Sequence, residues 1–428
     1  LSIAGVIAQI VLAASLAWQT SDGTVLLYQL GDWAAPFGIV VVGDRLSTMM
    51  ILLTAILGLF VLLYAIGSGW DRRGRHFHAL FQFQLMGIMG AFLTGDLFNL
   101  FVFFEVLLIA SYGLMIHAGG NARLRAGVQY VLFNLMGATL FLFALGASYA
   151  ETGTRNMADL AQRVSSVDPA ETVGIRLAAV LLLMVFAVKA ALLPLHFWLP
   201  SSYAAAPAPV AALFAIMTKV GAYAIIRVYT MIFGPDVAVT AGLHDVWLLP
   251  AALGSLALGM IGVLAARSLD RLVAFSVIGS MGMVMITISL FTPESISAAL
   301  YYIVHSTFAA AALFLITDLV AHGRGDLRLT SQPFFAGGRR SAGLFFVAAI
   351  AMAGLPPLSG FVGKLLILDA AFDEASMRWI WAIILSASLI SVVGFARAGS
   401  TVFWKARSID PEPEREEFPA PDALSFVA

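Results

Sequence analysis

The ionisable residues that lie within long apolar runs of this sequence include Glu105, Lys189, Lys219, His305 and Lys364. A charge near the centre of a lipid bilayer costs roughly 3 kcal/mol or more, so such groups face a polar interior or a water-filled path. Lysine, histidine and glutamate can each bind and release a proton when their surroundings change. These residue types therefore predict proton translocation inside a membrane, with no catalytic residue in the enzymatic sense.

Glu105 is the only acidic residue deep within any apolar run. A lone carboxylate there needs a cationic partner, and we expect Lys189 to supply it. One interpretation is a static ion pair that fixes packing. The other is a pair whose opening and closing changes the proton affinity of Lys189, which makes it a switch.

Lys219 shares one helix face with Tyr223 and Arg227, at intervals of four residues. We count Tyr223 and Arg227 as candidate accessory residues. A single histidine in a helix is more typical of packing than of proton relay, but His305 is flanked by hydroxyl residues and accompanies three lysines on other spans. His196 is the third accessory candidate, since a core or capping role and a role at a channel mouth are both open for it.

Lysine usage supports this interpretation. The chain has four lysines among its 24 basic residues, and only Lys405 lies outside the apolar runs. Arginine stays protonated in practice, whereas a buried lysine can gain and lose a proton. Titratable cations inside and fixed cations outside are what a proton path requires.

Composition places the chain in a membrane. It has 428 residues, of which 61% are hydrophobic and 11% charged, and a mean hydropathy of +0.93. Soluble proteins carry about 25% charged residues. A net charge of -1 gives no basic field for nucleic acid. The absence of cysteine excludes disulfides and thiolate-bound metal on this chain, and we find no nucleotide loop, catalytic triad or clustered metal ligands, so we expect no cofactor, no metal and no enzyme activity.

The apolar runs predict an all-α, polytopic membrane protein with about twelve transmembrane helices, because the runs are long, continuous and without strand-like alternation. The predicted spans cover 1–18, 46–67, 77–94, 97–116, 126–150, 174–199, 207–233, 246–266, 271–291, 296–321, 342–372 and 377–404. The connections after even-numbered spans hold fourteen basic residues, and those after odd-numbered spans hold five. The even connections are therefore predicted to be cytoplasmic.

Prolines break two of these spans. Pro194 follows Lys189 in the run 174–200, and Pro356 and Pro357 precede Lys364 in the run 342–372. Broken helices five spans apart suggest two inverted five-helix repeats. We predict N-terminal helices at 1–75, a first repeat at 76–233, a second at 246–404, and a polar cytoplasmic loop at 405–428. Because the chain begins at Leu1 and hydrophobicity returns at its end, we expect that a span is missing at either end.

Several motifs together resemble the antiporter-like membrane subunits shared by respiratory complex I, membrane-bound hydrogenases and Mrp-type multisubunit sodium/proton antiporters. They include the run from Asn99 to Glu105 (NLFVFFE), the run from Val188 to Pro200 (VKAALLPLHFWLP) and the run from Gly354 to Phe361 (GLPPLSGF). Within that superfamily the chain looks most like the Mrp D subunits, since complex I subunits usually carry tryptophan where this chain has Phe104.

The resemblance implies fourteen spans in the family, of which this chain would hold the second to the thirteenth. It implies that Glu105 and Lys189 pair as an input switch, that Lys219 is the central lysine, that His305 is a relay residue and that Lys364 is the terminal lysine. It also implies a place in the cell membrane, inside a hetero-oligomeric complex with other antiporter subunits.

We therefore expect a proton-translocating subunit of a sodium or potassium/proton antiporter, in contact with protons, lipid and partner subunits. The alternative is a proton-pumping subunit of a redox complex of the complex I or hydrogenase type. A third interpretation is a scaffold without transport. Sodium prefers several oxygen ligands, and the sequence shows no cluster of them, so protons are the expected cargo of this chain.

Overall fold

A computed structural model describes residues 1–167, 173–244 and 246–405 of the chain. From residue 406 on, the predicted polar loop lies outside the described residues. The described part is mostly helical, with a short antiparallel ribbon of two strands, β1 (Leu26–Gln29) and β2 (Val40–Gly43).

The helices follow one another along the chain. They are α1 (Ser2–Gln19), α2 (Arg45–Gly67), α3 (Phe77–Leu93), α4 (Leu97–Met115), α5 (Asn121–Thr152), α6 (Met157–Ser165), α7 (Val173–Lys189), α8 (Trp198–Ala205), α9 (Ala208–Met231), α10 (Leu248–Ala265), α11 (Leu269–Ile288), α12 (Pro293–Arg324), α13 (Gly338–Ala353), α14 (Ser359–Ala370) and α15 (Met377–Gly399).

Nine helices of the described residues are long and apolar enough to cross a membrane, and α3 falls one residue short of the 18-residue length. The two remaining predicted spans are the broken ones, which the structure divides into α7 with α8 and α13 with α14. The all-α membrane fold is confirmed. A helix satisfies its backbone hydrogen bonds internally, which lipid demands of any spanning segment.

Two compact units can be distinguished. The first comprises residues 1–59, 74–191 and 216–248, and the second comprises 60–73, 192–215 and the described residues from 249 onward. The first unit contains Glu105, Lys189 and Lys219, and the second contains His196, His305 and Lys364. The repeat boundaries predicted from the sequence concern internal symmetry and stay a prediction.

Three connections meet at one face of the first unit. The N–H of Gly95, after α3, donates to the carbonyl of Val40, which precedes α2, at 2.9 Å. The N–H of Leu97 donates to the carbonyl of Arg155, after α5, also at 2.9 Å. The connections after the first, third and fifth predicted spans therefore lie on one side, as helices that cross alternately require.

The chain leaves helical geometry at both proline-containing breaks. α7 ends at Lys189, Ala191 has a left-handed φ of 53°, and α8 begins only at Trp198. In the second break Gly354 ends α13 with a φ of 72°, a conformation that glycine adopts without steric cost. Helix termini leave backbone carbonyls and N–H groups without intrahelical partners, so each break places polar backbone beside the candidate lysines.

Candidate functional site

Lys189 is the last residue of α7, and its side chain is buried. Its ammonium donates a hydrogen bond to the side-chain oxygen of Asn134 on α5, at 3.0 Å. The amide nitrogen of Asn134 donates in turn to the carbonyl of Tyr130, at 2.8 Å, which fixes which end of the amide faces the lysine. A neutral amide therefore holds the first candidate lysine.

Glu105 on α4 does not form the direct ion pair that we predicted with Lys189. Its Oε1 is buried and accepts no hydrogen bond from any described residue, and no contact within 4.0 Å joins the two charged groups. The two are nevertheless close enough to attract each other electrostatically. The hydrogen bond that we expected the carboxylate to accept goes instead to the side-chain oxygen of Asn134.

An aromatic wall lines this site. The rings of Phe104, Phe141 and Phe186 lie on α4, α5 and α7 and pack edge to face, with centroids 5.6 to 6.3 Å apart. The Lys189 ammonium lies 5.7 Å from the centroid of Phe104. A cation over an aromatic face gains roughly 0.5–2 kcal/mol. Phe104 thus contributes a weak attraction for the charged lysine without offering a competing hydrogen-bond acceptor.

Lys219 on α9 is completely buried, and its ammonium has no hydrogen-bond partner among the described residues. Gly221 lets α9 approach the end of α7: a Cβ on Gly221 would lie 2.7 Å from the nitrogen of Ala190 and 2.8 Å from the carbonyl oxygen of Phe186. The close approach brings the segment that carries Lys219 against the end of the helix that carries Lys189.

The accessory candidates Tyr223 and Arg227 belong to a polar cluster of the first unit. Arg227 makes a bidentate contact with Asp44, with distances of 2.5 and 2.8 Å, and donates through Nε to the hydroxyl of Tyr223 at 3.2 Å. Asp44, which lies immediately before α2, was not among the residues predicted from the sequence. A lone carboxylate at the start of a span was the only available signal.

In the second unit, the side chain of Lys364 on α14 reaches back across the break between α13 and α14. Its ammonium donates to the carbonyl of Ala353, the last residue of α13, at 2.5 Å, and to the hydroxyl of Ser388 on α15, at 2.7 Å. A helix C-terminus carries partial negative charge and unpaired carbonyls. The broken helix therefore provides an acceptor for a charged lysine without a carboxylate.

His305 on α12 contacts the same broken segment. Its Nδ1 lies 2.9 Å from the hydroxyl of Ser359, the first residue of α14. Next to it, a Cβ on Gly360 would come within 2.8 Å of the His305 ring and 2.0 Å of the carbonyl of Ala351. The structure thus places His305 of α12 against the short helix that carries Lys364. His196 lies half-buried between α7 and α8, and its part in transport stays a prediction.

The described residues contain no group of three or more histidine, cysteine, aspartate or glutamate side chains that could hold a metal ion. The candidate residues are instead amines and a carboxylate in the first unit, and an imidazole and an amine in the second, each with neutral hydrogen-bonding groups beside them. Such a set can hold and pass protons.

Comparison with known proteins decides the family. Residues 94–391 match the model of the family described as "NADH:quinone oxidoreductase/Mrp antiporter, TM". The chain belongs to this family.

Two curated family members are antiporter subunits of the D type. The probable K(+)/H(+) antiporter protein of Rhizobium meliloti (strain 1021) is 40% identical over 409 residues, which cover 88% of this chain and 76% of the relative. The Na(+)/H(+) antiporter protein of Bacillus subtilis (strain 168) is 41% identical over 387 residues, 90% of this chain and 77% of the relative.

A chain in the structure of the Mrp complex from Dietzia sp. DQ12-45-1b has the same fold. It superposes with a TM-score of 0.87 at 30% sequence identity, over 97% of this chain and 76% of that one. The resemblance to Mrp D subunits is thereby confirmed, and with it a multi-pass membrane protein of the Mrp antiporter family.

Three polar residues of this family member were missed by the sequence analysis: Asn134, Ser359 and Ser388. Each lies in or next to an apolar run and carries no charge, so a search for ionisable groups passes over it. An amide inside a span is costly unless it is hydrogen-bonded, and that rule singles out Asn134. Serine can bond its own helix backbone, so the sequence alone did not distinguish the two serines.

Proposed function

We propose that this chain is the D-type subunit of a multisubunit monovalent cation/proton antiporter in the cell membrane, and that it translocates protons. The names of its relatives support the cation/proton exchange, and the Mrp complex that contains its structural neighbour supports partnership with other membrane subunits. The chain acts as a transporter and not as an enzyme.

The observation that carries the proposal is that Lys189 donates to a neutral amide while the carboxylate of Glu105 is close enough to attract it electrostatically. When Glu105 contacts Lys189, Coulomb attraction in a low-dielectric interior stabilises the proton on the amine. When Asn134 alone faces the amine, that stabilisation is weaker. Movement between the two arrangements changes the free energy of the proton on Lys189, which is what a switch requires.

In this proposal each unit carries part of the relay. Lys189 and Lys219 hold the proton in the first unit, and His305 and Lys364 hold it in the second. Proton transfer from one unit to the other is proposed from the sequence, which predicts a continuous row of polar side chains across the middle of the membrane. Protons are the proposed cargo of this chain, and sodium or potassium crosses elsewhere in the complex, because the described residues hold no group of three or more histidine, cysteine, aspartate or glutamate side chains that could bind a metal ion.

The test is cation-dependent proton movement in everted vesicles that hold the whole complex, without respiratory substrates. Wild type is expected to exchange sodium or potassium for protons. Lys189→Ala and Glu105→Ala are expected to assemble and to lose exchange. Lys405→Ala is the matched control, since Lys405 is the one lysine outside the spans and is expected to leave exchange unchanged. Wild-type exchange in Lys189→Ala would instead favour a scaffold.

A redox-driven pump is the second candidate, because the matching family also covers NADH:quinone oxidoreductase subunits. The same vesicles separate the two. If no proton moves until an electron donor is added, and cation gradients have no effect, the redox interpretation replaces the antiporter.

A further inference from the structure

A cavity of about 540 Å³ lies within the first unit, at the face where the connections after α1, α3 and α5 meet. The surrounding elements are both strands, the starts of α2 and α6 and the end of α9. The charged and amide side chains of its lining are Gln29, Asp44, Asn156, Asp159, Gln162 and Arg227. Basic-residue counts predict that this face is the non-cytoplasmic one.

An ion pair forms part of the cavity lining. Arg227 and Asp44 hold each other through two hydrogen bonds, and the guanidinium also donates to the hydroxyl of Ser47 at 2.9 Å. The two charged side chains are 12% and 23% exposed, whereas Ser47 is completely buried. The pair therefore stands at the boundary between the accessible cavity and the interior of the unit.

Behind the pair, α9 leads inward to Lys219. The hydroxyl of Tyr223 accepts from Arg227, donates to the carbonyl of Phe92 at 2.6 Å and is buried. Lys219 lies one turn before Tyr223 on the same face, about 6 Å along the helix axis. Its ammonium is completely buried and without a partner among the described residues. A hydroxyl that both donates and accepts is the kind of group that can connect such an amine to water.

The lining favours protons over metal cations. The carboxylate of Asp44 is taken by Arg227, and that of Asp159 is taken by Arg163 at 3.0 and 3.1 Å. Burial opposes ionisation of Asp44, but the hydrogen bonds and charge of Arg227 outweigh it and hold the pKa of that carboxyl below its ordinary value. Both carboxylates of the lining are already paired with arginine, so neither is a free anionic ligand for a sodium ion.

We propose that this cavity is an outward-facing access path for water-borne protons to Lys219, and that the Arg227–Asp44 pair gates it with Tyr223 as the link behind the gate. The inference deepens the proposed function and rests on Lys219 carrying a proton. It adds an entrance on the non-cytoplasmic face of the first unit to the relay that runs toward the second.

Accessibility tests the direction of the path. The chain has no cysteine, so an introduced cysteine is its only thiol. Val42→Cys lines the cavity, and Arg75→Cys, in the connection after α2, is the matched control for the opposite face. In the whole complex, a membrane-impermeant thiol reagent is expected to modify Val42→Cys about tenfold faster in spheroplasts than in everted vesicles, with the reverse for Arg75→Cys. A Val42→Cys that reacts only in everted vesicles, or on neither side, would overturn the proposal.

Transport tests the link. Tyr223→Phe keeps the ring against Phe92 and removes the hydroxyl, and cation/proton exchange is expected to fall about tenfold in the assembled complex. Tyr229→Phe is the matched control on the same helix, because its hydroxyl donates to the carbonyl of Ala179 away from the cavity. Equal exchange rates in the two variants would overturn the link. Lys189→Ala is measured alongside. If it loses exchange while the two tyrosine variants do not differ, the link through Tyr223 is wrong but the proposed function stands. If Lys189→Ala retains exchange, the proposed function itself fails.

Discussion

Lys189 directs its ammonium at the side-chain oxygen of Asn134, 3.0 Å away, and not at the carboxylate of Glu105. Hydrogen bonds to charged groups contribute about 1.5–3 kcal/mol. Because Asn134 holds the open arrangement of the pair, Asn134→Ala is expected to lower cation/proton exchange at least about tenfold in assembled complexes. Asn134→Asp is expected to lower it too, since a permanent carboxylate keeps the proton on the lysine.

The control for Asn134 is Thr139→Val on the same helix. Thr139 is exposed, and its hydroxyl bonds only the carbonyl of Leu135. Proton flux in everted vesicles with normalised complex content is the measurement. Wild-type flux in both Asn134 variants would mean that the amide plays no part in the switch.

Proton relay at position 219 is expected to require a side chain that can lose its proton. Lys219→Arg retains the positive charge but fixes it, because arginine is not deprotonated in proteins. Exchange is expected to fall below about a tenth of the wild-type rate. Lys219→Met keeps a similar side-chain length without the charge and without the larger guanidinium. If it also loses exchange in an assembled complex, the loss in Lys219→Arg is due to the missing titratable group and not to overpacking. Retained exchange in Lys219→Arg would remove Lys219 from the relay.

Much of this fold was predictable from the sequence, because lipid allows only one solution to long apolar runs. The span positions and both breaks follow from apolar length and from Pro194, Pro356 and Pro357. The ionisable candidates inside the spans could be found for the same reason, since an ion inside a span is costly, whereas Asp44 lies just outside its predicted span and was not predicted. The neutral partners were not: whether Lys189 contacts Glu105 or Asn134 depends on helix packing, which periodicity does not determine.

Gly221 is expected to be required for packing. Its missing side chain leaves α9 within contact of Ala190 and Phe186, so Gly221→Ala forces the backbones apart and is expected to destabilise the first unit by about 1–3 kcal/mol. Gly146→Ala on α5 is the control, because a Cβ there meets nothing within 4 Å. Alanine is favoured over glycine in a helix by about 1 kcal/mol. Thermal unfolding of the purified complex measures both, and similar shifts in the two variants would contradict the close approach.

Lys364 is expected to tolerate a neutral replacement better than an acidic one. Its ammonium donates to the C-terminal carbonyl of α13 and to Ser388, and a carboxylate cannot donate to either acceptor at neutral pH. Repulsion from the helix C-terminus is expected to make Lys364→Glu about 1–2 kcal/mol less stable than Lys364→Met. Thermal unfolding of the two variants is the measurement, with Lys405→Glu as the control for an added surface carboxylate. A more stable glutamate variant would mean that Ala353 does not hold the amine.

The Asp44–Arg227 pair predicts a pH dependence of stability with a definite sign. The pKa of Asp44 lies below its ordinary value of 3.8 in the folded chain, so the ionised pair stabilises the fold above that pH and loses its effect as the pH falls through the folded pKa. Asp44→Asn is therefore expected to unfold at a lower temperature than wild type at pH 7, with the difference shrinking toward pH 3. Arg227→Gln leaves the carboxylate without its cation and should follow the same course with a larger deficit at pH 7. A deficit in Asp44→Asn that stays constant between pH 7 and pH 3 would show that packing, and not the charge of the pair, stabilises this end of the cavity.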